Sequence, residues 1–229
     1  MSALHAARAA PAMAGGDPGR ADRLGGSIDA IASTSPAHDE ASDLIALTPL
    51  QAARLFLLEL LPTRESVEYL QALAVEFKAI EAEIGCYAVT RCAYRADGSF
   101  DFAWPNDRSG RLSAVIPVFD ETRVRVIDLC AWPVEEPEAF ATMFGVAEGL
   151  GCYRVKISAT FIGGAPLPVH RTPQDWLRAA CDGVVLLDAL ERLAAASGDL
   201  LARDVEHACS LAAWLRPLGF RHSIRAVRP

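Results

Sequence analysis

The clearest pattern of apolar and polar positions lies between Pro166 and Asp188, where two short apolar runs flank an amphipathic stretch. The first run, Leu167 to Arg171, predicts an extended strand. Thr172 is suited to cap a helix that begins with Pro173, because a threonine hydroxyl accepts from amide groups of the first turn and proline favours the first helical position. Gly183 predicts the end of that helix before the second apolar run. The segment therefore predicts a βαβ unit.

The same alternation continues to the end of the chain. Further strands are predicted at 184–188, 200–203 and 221–227, and the helices at 173–182, 189–196 and 204–215. Strands that alternate with helices predict a mostly parallel sheet with helices packed on it.

The region before this sheet begins with helical patterns. Thr48 and Pro49 predict a capped helix that Pro62 ends. A second helix is predicted from Thr63 to Ile84, because its apolar residues recur at spacings of three and four along one face. The two helices would form a helical hairpin.

The middle of the chain changes to a period of two, which is typical of strands. Runs at 87–94 and 99–104 flank Asp97-Gly98, a strong β-hairpin signal. Runs at 112–119 and 124–132 predict a second hairpin. Together they predict an antiparallel meander of about four strands.

Two later segments carry weaker patterns. Pro137 to Leu150 predicts a helix, because acidic residues at its start suit the helix dipole. Tyr153 to Ile162 alternates apolar and polar side chains and predicts a strand, with a helix ended by Gly163-Gly164 as the alternative.

These elements predict an α/β fold whose N-terminal half is α+β. Residues 1–43 contain few bulky apolar side chains and predict a disordered leader. Residues 44–150 would hold the helical hairpin and the meander, and residues 151–229 the βαβ-type unit, the two parts packing either separately or as one domain.

The charge balance limits the classes of partner. The net charge is −7, so no overall field attracts nucleic acid or anionic lipid. Of the 22 basic residues only Lys78 and Lys156 are lysine, which indicates a GC-rich genome. The one basic stretch could touch nucleic acid or, as we favour, protect an edge strand by charge. It consists of Arg216, Arg221, Arg225 and Arg228.

The cysteines and the apolar runs indicate the compartment. The six cysteines form no C-x-x-C pair and lie in apolar contexts, as expected of reduced thiols in a cytoplasmic protein. The longest strongly apolar run, Leu55 to Leu61, is too short to cross a bilayer. We therefore expect no membrane segment.

The predicted parallel sheet suggests where a ligand would bind, because ligands of open parallel sheets bind at the carboxyl ends of the strands. Arg171, Asp188 and Asp204 would share that edge, and His170 would meet an anion at a helix N-terminus. The two aspartates are equally suited to cap the helices that follow them, which is the interpretation we favour. The alternative is a magnesium ion held by both carboxylates. We otherwise expect no cofactor and no metal site.

Helix geometry excludes two other pairs of candidate site residues. His170 and Cys181 stand at opposite ends of a predicted helix, roughly 13 Å apart, so Cys181 is interpreted as a buried small hydrophobe. His207 and Cys209 lie two positions apart on a helix, so they project to different faces and do not share a metal. The default for the tryptophans at positions 132, 176 and 214 is core packing, and Trp104 is expected to be partly exposed.

Two segments carry a resemblance to known proteins. They are PVFDETRVRVIDLCAWPVEEPEAF and PLPVHRTPQDWLRAACDGVVLLD. Over residues 85–229 the chain resembles a group of uncharacterised proteins carried by prophages and other mobile elements of GC-rich bacteria. The resemblance implies no known activity.

The chain also distantly resembles toprim-type domains of primases and topoisomerases, in which acidic residues at strand ends bind magnesium. Asp188 and Asp204 stand in similar places. The D-x-D pair of those domains is absent, because Ala189-Leu190 follows Asp188 and Val205-Glu206 follows Asp204. The resemblance therefore implies at most a degenerate relative.

No complete catalytic constellation occurs in the sequence, so we expect a cytoplasmic, non-catalytic α/β protein of mobile-element origin that binds a protein or a small ligand. The alternative is a magnesium-dependent nucleic-acid enzyme, or its toprim-like remnant, that uses Arg171, Asp188 and Asp204.

Overall fold

A computed structural model describes residues 48, 50, 51, 53, 58, 63–103, 109–187 and 190–227, and the side chain of residue 190 is not included. The expected leader, most of the first helix, Trp104, Asp188 and Arg228 lie outside these residues. The predicted cap of the first helix is confirmed, because the amide of Gln51 donates to Oγ1 of Thr48 and the amide of Thr48 donates to Oε1 of Gln51.

The helix predicted from Thr63 to Ile84 is two helices, α1 (Arg64–Ala72) and α2 (Phe77–Ile84). The amide of Val75 donates to the carbonyl of Leu70, and that of Ala74 donates to Gln71, which is the Schellman arrangement that ends a helix. Ala74 has a φ of 56°, a conformation that alanine rarely adopts. The break turns Val75 onto the core, so packing overrides the helical period.

Sheet A is the predicted antiparallel meander, extended by one strand. Its strands are β1 (Ala88–Tyr94), β2 (Phe100–Phe102), β3 (Arg111–Phe119), β4 (Val126–Pro133) and β5 (Ala141–Thr142). They lie in the order β2-β1-β3-β4-β5. The hairpin at Asp97-Gly98 is confirmed, with Tyr94 paired to Phe100. A bridge between Ser99 and Thr142 joins the two ends of the sheet, so sheet A curls on itself.

The prediction of a helix over 137–150 is wrong. This segment forms β5, a loop, and β6 (Gly149–Leu150), which belongs to the second sheet. The cause is the buried carboxylate of Asp128 on β4, which accepts hydrogen bonds from the amides of Phe144, Val146 and Ala147. Amides that donate to this carboxylate do not form the hydrogen bonds to carbonyls four residues earlier that a helix requires.

The prediction of a strand over 153–162 is also wrong, and the helical alternative is closer. The segment forms two 3-10 helices, Cys152–Val155 and Ser158–Gly164. Cys152 and Val155 are the buried positions of the first one, and residues three apart lie on one face of a 3-10 helix. Burial therefore follows a period of three, although the sequence alternates.

Sheet B is the predicted parallel sheet. Leu167–His170 (β7), Val184–Leu186 (β8), Leu200–Ala202 (β9) and Ile224–Ala226 (β10) are parallel, and β6 is antiparallel to β8. The order is β10-β9-β7-β8-β6. The helices α3 (Pro173–Arg178), α4 (Leu190–Ala194) and α5 (Val205–Leu215) connect the parallel strands. The predicted α/β class is confirmed.

Helices cover both faces of sheet B. Trp176 and Leu177 of α3 join a core cluster that also contains Trp132 of sheet A. Leu193 of α4 and Leu211 of α5 belong to a different cluster, with Leu200 of β9. The sheet is therefore doubly wound. The chain leaves β7 towards one edge of the sheet, to β8, and leaves β9 towards the other edge, to β10. Doubly wound sheets bind ligands between two strands whose connections run in opposite directions, here β7 and β9.

Candidate functional site

The carboxyl ends of β7 and β9 bring two of the predicted site residues together. Nη2 of Arg171, which follows β7, lies 3.0 Å from Oδ1 of Asp204, which follows β9. The same nitrogen lies 3.7 Å from a carboxylate oxygen of Glu206. The third predicted member, Asp188, lies outside the described residues, so its distance to Asp204 is not defined.

Asp204 caps α5, as the favoured interpretation of its position predicts. Its Oδ1 accepts from the amide of His207 at 2.8 Å. This hydrogen bond, with the guanidinium of Arg171 as a smaller cause, lowers the pKa of the Asp204 carboxyl. The same oxygen thus serves the helix and the arginine.

His207 is the residue that the sequence analysis missed as a candidate ligand group. It is 6% exposed, and its Nδ1 accepts from the backbone amide of Arg203 at 3.3 Å. An imidazole that accepts at Nδ1 carries its proton at Nε2. Burial, followed by the charge of Arg171, lowers the pKa of His207. The side chain is therefore a neutral donor, and no described residue accepts from its Nε2.

His207 faces a cavity of about 330 Å³, which we name the β7–α5 pocket. One wall is a face of α5, made by His207, Ser210, Leu211 and Trp214. The facing wall is apolar and consists of Phe140, Val169 and Leu186. His170, Arg171 and Glu206 add polar groups around it. The volume falls within the range of small-molecule sites.

The signal that would have identified His207 was its spacing. It stands three residues after the helix cap Asp204 and seven before Trp214, and residues seven apart lie on one face of a helix. Sequence reasoning compared it only with Cys209, which projects elsewhere.

The tryptophans differ in their surroundings. Trp132 and Trp176 are buried, as predicted. The prediction for Trp214 is wrong, because it is 52% exposed and lines the β7–α5 pocket. Leu211 and Leu215 supply the core contacts of α5 instead.

His170 is held by a backbone contact. Its Nε2 donates to the carbonyl of Asp182 at 2.7 Å. The helix predicted over 173–182 ends at Arg178, and Ala180 and Cys181 both have positive φ, so the chain turns back towards β7. The helix between His170 and Cys181 is therefore shorter than the sequence predicts.

Cys181 is nevertheless the buried hydrophobe that the sequence predicts. It is fully buried, and burial raises the pKa of its thiol to about 12. All six cysteines are free, and Cys209 alone among them is exposed. A thiol at this pKa is not a nucleophile at neutral pH.

The predicted cap of α3 is confirmed, since the amide of Asp175 donates to Oγ1 of Thr172. The basic stretch surrounds β10, an edge strand of sheet B, although only Arg225 lies on the strand itself. Arg216, Arg221 and Arg225 are exposed there, and Arg225 pairs with Asp199.

A second cavity, of about 290 Å³, lies between the tip of the β3–β4 hairpin and α4. Arg192 bonds both Glu121 and Glu148 at this cavity, and Arg154 and Arg123 pair with Glu83. These charges neutralise one another. The β7–α5 pocket differs because His207 lines it and no described residue accepts from its Nε2–H.

Within the part of the chain that the structure describes, no group of three histidine, cysteine, aspartate or glutamate side chains is arranged to hold a metal ion. No helix among the described residues has the length and apolar character needed to cross a bilayer. Comparison with protein-family models, with curated proteins and with solved structures finds no match.

Proposed function

We propose that the protein is a non-catalytic binding protein that holds a small anionic ligand in the β7–α5 pocket. The observation that carries this proposal is His207, a largely buried neutral imidazole that lines the cavity and whose Nε2–H has no acceptor among the described residues. The Nε2 atom is not among the fully buried polar atoms that lack a partner, so it reaches water. A ligand oxygen would replace that water as the acceptor of this N–H.

The neighbouring groups support an anion as the ligand. Arg171 contacts Asp204 and Glu206 through Nη2, so neither contact uses its Nη1 or Nε. The first turn of α5 adds the positive end of a helix dipole. The pocket also lies at the carboxyl edge of a doubly wound sheet, where ligands of such sheets bind.

Binding without catalysis is supported by the state of the nearby hydroxyl and thiol groups. The hydroxyl of Ser210 donates to the backbone carbonyl of Glu206 at 3.1 Å. Cys181 is kept in the thiol form by burial. The hydroxyl hydrogen of Ser210 is thus used on a backbone carbonyl, and Cys181 lies in the core rather than in the lining of the pocket.

The free cysteines support a reducing compartment, and we propose the cytoplasm. The origin in a mobile element is likewise a proposal, which rests on the resemblance of the two sequence segments. The alternative of a magnesium-dependent nucleic-acid enzyme requires Asp204 to ligate a cation, yet its Oδ1 already bonds Arg171 and the amide of His207.

Two substitutions of His207 test the roles of its two ring nitrogens separately. His207→Asn retains an acceptor for the Arg203 amide and removes the pocket donor, whereas His207→Gln retains a donor near the position of Nε2. We expect inorganic phosphate and acetate to shift the imidazole Nε2 resonance of His207 in NMR titrations of the parent protein. Calorimetry should show anion affinity reduced about tenfold or more in His207→Asn and largely retained in His207→Gln.

Equal loss in both variants, or no anion binding by the parent protein, would contradict the proposal. A magnesium titration of the parent protein and of Asp204→Asn tests the alternative. Magnesium binding that depends on Asp204, without anion binding, would favour the nucleic-acid enzyme instead.

A further inference from the structure

The face of α5 that lines the β7–α5 pocket carries different chemistry at its two ends. His207 lies at the N-terminal end and Trp214 at the C-terminal end, with Ser210 and Leu211 between them. Seven helical residues span about 10 Å. The pocket wall is therefore elongated, with a hydrogen-bond donor at one end and an indole ring at the other.

Trp214 is unusual among the tryptophans that the structure describes. Trp132 and Trp176 are buried and use their indole N–H groups in hydrogen bonds to the Tyr69 hydroxyl and the Gly183 carbonyl. Trp214 is 52% exposed, and the described residues provide no ring contact and no hydrogen bond for it. Its ring face is therefore available at the pocket.

The middle of the pocket is apolar. Leu211 is buried on the α5 wall, and Phe140, Val169 and Leu186 form the opposite wall. A simple inorganic anion would occupy only the His207 end and would leave these surfaces in contact with water. A ligand that also covers them gains the free energy of removing apolar surface from water.

We infer that the ligand is an aromatic acid: a planar ring that stacks on Trp214, joined through a short linker to a phosphate or carboxylate that accepts from Nε2 of His207. This inference rests on the proposed function and adds the ring to it. The shared chemistry admits two sources, a nucleoside monophosphate and an aryl-alkyl carboxylate, because either presents a ring at one end and an acid at the other.

Two hydrogen-bond donors are available at the acidic end of the pocket. Arg171 lines it from the segment after β7, and neither Nη1 nor Nε takes part in its ion pairs, whereas His207 lines it from α5. Asp204 and Glu206 are the acidic neighbours, and both lie against Arg171. One guanidinium does not offset both carboxylates, so recognition of the acid depends on the direct donors of Arg171 and His207.

The test uses two matched pairs of probes, AMP with adenosine and 4-phenylbutyrate with 4-phenylbutanol, together with inorganic phosphate. Calorimetry on the full chain should show that one acid binds at least about tenfold tighter than phosphate, since stacking on an aromatic side chain is worth that much. The matching probe without the acid should bind at least about tenfold more weakly. The pair that responds identifies the source.

Variants of Trp214 separate stacking from simple apolar contact. Trp214→Leu should weaken binding of the preferred acid by about tenfold and leave phosphate binding unchanged, whereas Trp214→Phe should retain most of the affinity. Val205 lies on the same helix but lines a different groove, so Val205→Ala should change neither acid binding nor phosphate binding.

The possible failures are distinguishable. If phosphate binds through His207 but neither acid binds better, or if Trp214→Leu binds the acids as the parent does, the aromatic ligand is wrong and the anion site stands. If no anion binds, with or without a ring, both the inference and the proposed function are wrong.

Discussion

His207 combines burial with positive neighbours, and this combination determines its protonation. Arg171, Arg203 and His170 contribute positive charge around it, while Asp204 opposes them. Burial is the largest cause and lowers the pKa of His207 below its ordinary value of 6.5. A neutral imidazole in this position donates at Nε2 and accepts at Nδ1, so both of its hydrogen-bonding directions are defined.

This depressed pKa predicts a pH dependence of stability. Above pH 6.5, His207 is neutral in both the folded and unfolded states, and its contribution is fully present. As the pH falls, the unfolded state takes up a proton first, so the contribution is lost as the pH falls through the folded pKa. Urea unfolding at about pH 7.5 and about pH 5.5 should therefore show a larger loss for the parent protein than for His207→Asn. Equal losses would show that His207 titrates normally.

Some residue roles depend only on neighbours in the chain. Thr48, Thr172 and Asp204 cap the helices that follow them, and each was predicted because a cap needs only the residue and the next turn. His207 was missed because its significance depends on burial and on a cavity wall formed by distant residues.

At the scale of elements, the segment after β4 shows how one buried side chain changes secondary structure. Asp128 is fully buried, and its carboxylate accepts from the amides of Leu129, Phe144, Val146 and Ala147. Local propensity favours a helix over 137–150. The need to satisfy a buried carboxylate outweighs that preference, because an unpaired buried charge costs several kcal/mol.

Asp128→Ala should destabilise the fold by about 3 kcal/mol or more, since it leaves several amides without an acceptor. Hydrogen exchange of the Val146 and Ala147 amides should accelerate more than that of amides in sheet B. Asp97→Ala, in the exposed turn of the first hairpin, is the matched control and should have a smaller effect. If the alanine variant does not fold, Asp128→Asn, which retains one acceptor oxygen, should give an intermediate loss. Unchanged protection of both amides would contradict this role.

The remaining elements are of two kinds, those predicted from the local sequence and those determined by packing. The parallel strands of sheet B and the helices between them were predicted in the correct order, because each strand has its own apolar run, whereas β6 was predicted as part of a helix. The break at Ala74 and the 3-10 helices of 152–164 were not predicted, since both depend on packing of the chain onto the core rather than on local period.

At the scale of the whole molecule, the two sheets share one hydrophobic cluster. Trp132 of sheet A and Trp176 of α3 both belong to it. A hydrogen bond crosses the same region, because Nε1 of Trp132 donates to the Tyr69 hydroxyl at 2.7 Å, and the side-chain amide of Gln174 lies 3.2 Å from that hydroxyl. Burial raises the pKa of Tyr69 to about 12, so the hydroxyl remains protonated.

This shared cluster predicts that sheets A and B unfold together. Urea unfolding followed by tryptophan fluorescence and by circular dichroism should give coincident transitions. Tyr69→Phe should shift both by the same amount, about 1–3 kcal/mol, because the indole N–H of Trp132 loses its acceptor. Tyr153→Phe is the control with a smaller expected effect, since its partner Glu83 also pairs with Arg154. Separate transitions would instead favour independent domains at 44–150 and 151–229.

By itself, the sequence determined the α/β class, the order of the parallel strands of sheet B and the helices between them, the first hairpin and the helix caps. Each of these depends on residues close together in the chain. It also placed Arg171 and Asp204 at one edge, because the carboxyl ends of parallel strands share an edge. Only the tertiary structure decided the strand order, the course of 137–164 and the β7–α5 pocket. These depend on burial and on contacts between distant segments, such as the amides at Asp128 and the wall opposite His207, and such contacts outweigh local propensity once a core forms.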